Sequence, residues 1–258
     1  MSQKNINFKF KSDKVSEFIQ KIDELSKIED TIKIKIDSEN ILMYSILGGN
    51  VMLAFKNFLL KTGDYFDFED FDFTIDFILA SSKKFVKNLS FLNTSHTVLW
   101  DFNYKKSTEN DDIVWVRSVQ VSGGKLKVKW LGGEHYELRD INKDSLKNNL
   151  NIKNKKWSFS IKKEDFLDVK KLSNINSERI VNITIESGKV ILSEKSAWEL
   201  EVQSIDSSIS SNLMLNKKFL SCIDEDKDVE FNIFENFMLI QDENSNLMLS
   251  FEQSFDDD

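Results

Sequence analysis

At 258 residues, with 40% hydrophobic, 12% aromatic and 30% charged side chains, the chain can build one large β-rich domain or two of about 130 residues. It is too apolar for disorder and too often interrupted by charge to span a membrane. Thirty-five basic against 43 acidic residues leave a net charge of −8, which excludes a binder that is basic all over but allows a local basic surface.

In chain order, residues 6–10 read as a strand with Ile6, Phe8 and Phe10 on one face. A helix is predicted over 12–28, its apolar stripe formed by Val15, Phe18, Ile19, Ile22 and Leu25 and its N-cap by Ser12. Strands follow at 31–36, where Ile32, Ile34 and Ile36 alternate with lysines, then at 41–47 and 51–59. The order then recurs: a strand at 71–79, a helix at 82–92 with Phe85, Val86, Leu89 and Leu92 inward, and strands at 97–104, 113–121 and 125–131. A third round has a strand at 157–161, a helix at 163–172 and strands at 180–186, 190–193 and 198–203. The fourth has a strand at 212–215, a short helix at 216–223 and strands at 229–233, 237–240 and 246–251.

Strand, helix and three strands thus occur four times, which predicts an α+β fold of two similar domains, each a duplicated β-α-β-β-β unit. Domains at 1–133 and 157–258 are expected, joined by a connector over 134–156 that is rich in Asn, Lys and Asp. The alternative is one irregular α+β domain.

Catalytic signatures are missing. His96, His135 and Cys222 stand at no metal-ligand spacing, so no metal or cofactor is expected. No Gly-rich phosphate loop, GxSxG or HExxH occurs, and no residues assemble a nucleophile with its base, so an enzyme is not expected. The glycine pairs 48–49, 123–124 and 132–133 read as hairpin turns. A lone cysteine cannot close an internal disulfide, and the charged start MSQKNINFKFKSDK lacks the apolar stretch of a signal peptide, so a cytoplasmic protein is expected. The three arginines among 35 basic residues, and the absence of proline, read as the imprint of an AT-rich genome.

Charge is divided by element. The helical segments with their leading residues, 11–28, 81–92, 162–172 and 216–223, carry +6 and the remainder −14. Lysines off the apolar stripes, such as Lys83, Lys84 and Lys87 or Lys217 and Lys218, project into solvent or toward a polyanion. If the helices share one face of the sheets, their lysines make a phosphate-facing surface. Ordinary solubilising lysines are the alternative.

With its fourfold unit, lysine-bearing helices in an acidic protein, the segment SILGGNVMLAF at 45–55 and the ending NLMLSFEQSFDDD, the chain resembles the two-domain DNA sliding clamps. These are the family of the proliferating cell nuclear antigen and the T-even phage clamp. The resemblance covers the whole chain and is architectural. It implies a homotrimeric ring, with helices around a hole and continuous antiparallel sheets outside, that encircles duplex DNA without reading sequence. Such a ring tethers a DNA polymerase and is opened by an ATP-dependent clamp loader; an AT-rich bacteriophage is the implied setting. Candidate DNA-facing residues are Lys14, Lys21, Lys83, Lys84, Lys87, Lys163, Lys170, Lys171, Lys217 and Lys218. The resemblance further implies subunit pairing between the strand bearing Lys125, Lys127, Lys129 and Trp130 and the one bearing Trp198, Glu199 and Glu201, whose charges are opposite. It places a partner pocket at Ile46, Val51, Leu53, Phe251 and Phe255, with Tyr136, Leu138 and Ile141 overhanging; plain core is the alternative for Ile46, Val51 and Leu53. The acidic-aromatic run at 64–77 matches nothing in the family. Two rival expectations remain: a monomeric or dimeric factor of the same fold that binds DNA by direct charge contact, and a β-rich viral structural protein.

Overall fold

A computed structural model describes residues 4–48, 53–69, 71–92, 97–106, 112–133, 141, 152–195, 197–204, 210–224 and 226–252. The chain divides into two compact units, residues 1–46 with 56–143, and residues 47–55 with 144–258.

The first unit begins with β1 (Lys4–Phe10), α1 (Val15–Ser26), β2 (Ile32–Ile36), β3 (Asn40–Leu47) and β4 (Ala54–Lys61). One helical turn, α2 (Thr62–Tyr65), and the two-residue β5 (Phe66–Asp67) follow. Then come β6 (Thr74–Leu79), α3 (Ser82–Leu89), β7 (Val98–Lys106), β8 (Ile113–Gly123) and β9 (Leu126–Leu131). The first strand of each repeat is given to the other repeat: β1 pairs with β7 and β6 with β2, both antiparallel. Strands β7, β8 and β9 form one meander. The two halves join where β6 runs parallel to β8 over Thr74–Asp76 and Ile113–Trp115; that pairing corrects the expectation of wholly antiparallel sheets.

Helices α1 and α3 lie on one face of the sheet, because both reach the same indole. Trp100, buried on β7, has Phe18 of α1 at 5.3 Å and Phe85 of α3 at 6.3 Å between ring centroids. Val15, Phe18, Ile22 and Leu25 are the buried stripe of α1, at the i, i+3, i+4 spacing a helix requires. The start of α1 differs from expectation. Ser12 is not the cap; the flanking residue is Lys14, in helical conformation and with no side-chain cap, since the chain turns once before the apolar stripe begins. Asp30 caps α3 from a distance, accepting from the Lys83 backbone N–H at 2.8 Å and from Ser82 Oγ at 3.2 Å.

The acidic-aromatic run turns out to be core. Phe66, Phe68 and Phe71 surround Phe8 with centroids 5.3 to 5.8 Å away, and Phe73 meets Tyr104 at 5.5 Å. Asp67, between them, stays exposed within 3.8 Å of Lys9. Gly132 is not in a hairpin turn: it follows β9, where its N–H donates to the Arg117 carbonyl at 2.8 Å, and a Cβ there would stand 2.3 Å from the Val116 oxygen.

The second unit holds β10 (Trp157–Ile161), α4 (Lys163–Ile175), β11 (Ile180–Glu186), β12 (Lys189–Glu194) and β13 (Trp198–Ser204). They are followed by β14 (Ser211–Asn216), β15 (Val229–Ile233), β16 (Phe237–Gln241) and β17 (Ser245–Ser250). The exchange of first strands repeats: β10 pairs with β15 and β14 with β11. Strands β11, β12 and β13 form one meander and β15, β16 and β17 the other. Where an α-helix is expected at 216–223, Lys217–Cys222 forms a 3-10 helix instead, capped by the Asn216 side chain; such helices are used in short pieces. Among the described residues no helix is long and apolar enough to cross a membrane.

Candidate functional site

The ten candidate lysines fall into distinct electrostatic situations. On α1, Lys14 and Lys21 share one counter-ion, with ammonium nitrogens 2.9 and 3.4 Å from the Glu17 carboxylate. Lys21 also stands 5.0 Å from the Phe58 ring centroid. Glu17 accepts in addition from the Tyr65 hydroxyl. That hydrogen bond, reinforced by the two lysines, lowers its carboxyl to about 2, while burial and then Glu17 push the Tyr65 phenol up. Glu17 in turn raises the Lys14 ammonium.

Lys83, Lys84 and Lys87 of α3 are exposed, have no ion-pair partner among the described residues, and share a helix with no acidic residue. On α4, Lys163 approaches Asp226 at 3.8 Å, Lys171 approaches Asp168 at 3.1 Å, and Lys170 lies 5.6 Å from the Phe166 ring centroid. Lys217 is engaged differently, because its ammonium donates to the Ser173 and Asn176 carbonyls at 2.8 and 2.5 Å and so closes the C-terminal end of α4. Lys218 is exposed over the Phe219 ring. Sequence spacing could have found the Glu17 pairs, three and four residues away. The Lys217 cap needs tertiary structure.

Strands β9 and β13 are edges, each with a strand neighbour on one side only among the described residues. Lys127 and Lys129 of β9 are exposed, Val128 between them is buried, and Lys125 lies in the preceding turn. The Trp130 indole donates to the Ala80 carbonyl at 2.8 Å and meets Phe85 edge-on at 5.5 Å. On β13, Glu199 and Glu201 are exposed and alternate with half-buried Trp198, Leu200 and Val202; Glu201 already holds Lys189 at 2.7 Å. Glu194, the cross-strand neighbour of Trp198, is 1% exposed, and neither its carboxylate oxygens nor Trp198 Nε1 has a hydrogen-bond partner among the described residues.

Of the pocket candidates, Ile46 is buried and Leu53 is 47% exposed. Val51 and Phe255 lie outside the described residues, as do Tyr136 and Leu138. Phe251, half-buried, donates through its backbone N–H to the Asn236 carbonyl and lines a hollow of about 470 Å³ with Asn212, Leu213, Met214, Glu235, Asn236 and Glu252. Glu252 forms a bridge to Met214 and accepts from Asn216 Nδ2 at 3.0 Å. Sequence reading missed Met214 and Glu252, because the bridge joins segments remote in the chain. Ile141 belongs to the first unit, donating to the Tyr44 hydroxyl at 3.1 Å and accepting from Lys35 Nζ at 3.4 Å. Among the described residues no group of three or more His, Cys, Asp or Glu could hold a metal; His96 and His135 lie outside them.

No family model matches the chain, and no curated protein matches its sequence. Solved structures do match. The proliferating cell nuclear antigen of Thermococcus kodakaraensis superposes with a TM-score of 0.61 at 14% identity, covering 97% of this chain and 100% of that one. That of Entamoeba histolytica gives 0.61 at 12%, covering 96% and 98%. The DNA polymerase sliding clamp of Bacillus subtilis gives 0.63 at 12%, covering 99% of this chain and 67% of that one. The chain has the fold of the DNA sliding clamps. It spans about two thirds of the bacterial clamp chains and nearly all of the other two. In this sliding-clamp fold the described lysine candidates lie on or beside the helices, the strand candidates on the β9 and β13 edges with Lys125 in the turn before β9, Ile46 on β3, Leu53 just before β4 and Phe251 at the C-terminal hollow.

Proposed function

We propose that the protein is a processivity clamp. Residues 1–133 and 157–258 serve as two clamp domains joined by a connector at 134–156, and three copies close into a ring around duplex DNA. The likeness to sliding clamps over nearly the whole chain carries this reading, and the same exchange of first strands in each unit supports it.

Encirclement replaces tight binding. A tether that must slide needs charges that meet phosphates without reading bases, and the flexible ammonium of lysine suits that better than arginine's rigid fork. The α3 trio, with Lys218, is the most available set; Lys14, Lys21, Lys163, Lys170 and Lys171 add charge that nearby carboxylates or rings temper. Edge strands β9 and β13 of neighbouring copies pair antiparallel, and the hollow beside Phe251 receives a short segment of the polymerase or of the ATP-dependent loader. The reading is of a cytoplasmic, non-enzymatic protein, bacteriophage-encoded by its composition.

Retention on circular against linear DNA tests it. A loaded ring survives high salt on circles and slips from linear ends, whereas direct charge contact weakens with salt on both alike, by about 0.9 in log–log slope per phosphate neutralised. Equal salt sensitivity on the two substrates would reject encirclement.

A further inference from the structure

Strand β8 changes parity midway. Val114 and Val116 are buried, and then Val119 and Val121, so the apolar positions pass from even to odd within one strand. The register gives the reason: Asn103 of β7 faces Ser118 and Tyr104 faces Val116, which leaves Arg117 as the extra residue of a β-bulge. Gly132 braces that bulge, its N–H donating to the Arg117 carbonyl at 2.8 Å. Arg117 and Ser118 therefore both project from the face of the sheet opposite Val116 and Val119. Bulges re-aim side chains at functional sites, and this one re-aims one of only three arginines among 35 basic residues.

Where the guanidinium emerges lies a hollow of about 600 Å³, with walls from Asn5 of β1, Asn103 of β7, Gln120 of β8 and Lys129 of β9. It is on the side of the sheet away from α1 and α3, since Asp101 and Asn103 alternate with Trp100, whose ring both helices meet. The carboxylate in its lining is already engaged. Asp101 accepts from Gln120 Nε2 at 3.5 Å and, with the Asn7 amide turned toward its acceptors, from Asn7 Nδ2 at 3.0 Å. Asn103 Nδ2 donates to Asn5 Oδ1 at 2.9 Å. Arg117 and Lys129 are exposed and have no ion-pair partner among the described residues.

We propose that this hollow docks an acidic peptide segment of a partner protein. The Arg117 fork takes a Glu or Asp carboxylate through two parallel N–H donors, and the amides of Asn5, Asn103 and Gln120, which both donate and accept, hold the main chain beside it. The hollow has room for a few residues of extended chain and is too small to admit a duplex. Lys129 adds attraction but is also one of the lysines assigned to strand pairing, so Arg117 decides the site. The proposal does not depend on ring closure, because every residue it uses belongs to the first unit.

Fluorescence anisotropy of the full chain with a labelled peptide of alternating Glu and Gly tests it, against a peptide of alternating Gln and Gly. The first should saturate and the second should not. Arg117→Gln should weaken binding on the order of tenfold to a hundredfold, as expected for losing a charge-assisted pair. Arg117→Lys should recover only part of that loss, since a point charge replaces the fork. Both variants should keep the wild-type melting temperature, because the side chain is exposed. Lys27→Gln, exposed at the end of α1, should leave peptide affinity unchanged. Equal binding of the two peptides, or an equal loss from Lys27→Gln, would overturn the site. An oligonucleotide bound through Arg117 where the acidic peptide is not would overturn the peptide as occupant.

Discussion

The Tyr65 hydroxyl donates to the Glu17 carboxylate, with Oη 2.5 Å from Oε1, and this bond ties the turn after β4 to the helix that carries Lys14 and Lys21. Its pH consequence has a definite sign. A carboxyl lowered from 4.5 to about 2 contributes stability that is present above pH 4.5 and lost as pH falls toward 2. Tyr65→Phe should cost about 1 kcal/mol at pH 7, a low figure because Glu17 keeps solvent contact. Its acid loss should also be smaller than that of the wild type and be complete at a higher pH. Urea unfolding at pH 7, 4 and 3 measures this, and parallel profiles would contradict it.

Glu17 also restrains charge. In Glu17→Gln, Lys14 and Lys21 lose their shared counter-ion, so DNA binding should become more salt-dependent, by about 0.9 in slope for each lysine that reaches a phosphate. A titration of duplex binding against salt reads it directly, and an unchanged slope would show that α1 does not meet DNA.

The α3 lysines and Lys217 should separate cleanly. Replacing Lys83, Lys84 and Lys87 by Gln should flatten the salt slope by about 0.9 per lost phosphate contact and leave stability nearly unchanged, since all three are exposed. Lys217→Gln should do the reverse, lowering the melting temperature through loss of the α4 cap with little change in slope. Identical effects from the two variants would remove the distinction.

Lys33 and Asp76 form an ion pair at 3.2 Å, with side chains only 4% and 6% exposed. Breaking it from one side, as Lys33→Met or Asp76→Leu, should cost about 3 to 5 kcal/mol, whereas replacing both together should restore most of the loss, because an apolar pair leaves no stranded charge. A double-mutant cycle by denaturant unfolding decides; additive losses would show that the two charges do not compensate each other.

Reversing Lys127 and Lys129 to Glu should reduce self-association, and a second reversal of Glu199 and Glu201 to Lys should restore part of it. Restoration will be incomplete because Glu201 also serves Lys189 within its own chain. Light scattering supplies the masses; unchanged mass in both variants would reject the strand pairing.

Strands with regular alternation were readable to the residue: 157–161, 180–186 and 229–233 agree with β10, β11 and β15. Four-fold recurrence was legible because each helix interrupts its strands at the same place. What escaped depends on distant segments. The phenylalanines at 66, 68, 71 and 73 follow no fixed period, so their role against Phe8 and Tyr104 emerges only once β1 and β7 are brought together. The lysines could be counted, but not sorted into those held by Glu17, the one spent on a helix end and those left to solvent.

The reciprocal surrender of first strands has a consequence for synthesis. Lys4 pairs with Tyr104, so β1 must leave the ribosome and wait for its main partner strand while most of a further repeat emerges, its phenylalanines meeting only Phe18 and the run at 66–71 in the meantime. Neither half of a unit holds both partners of its first-strand pairings, so the smallest fragment that keeps them is a complete interleaved pair. That interval, and the matching one before β15 joins β10, leave strand edges open to aggregation or to chaperone capture.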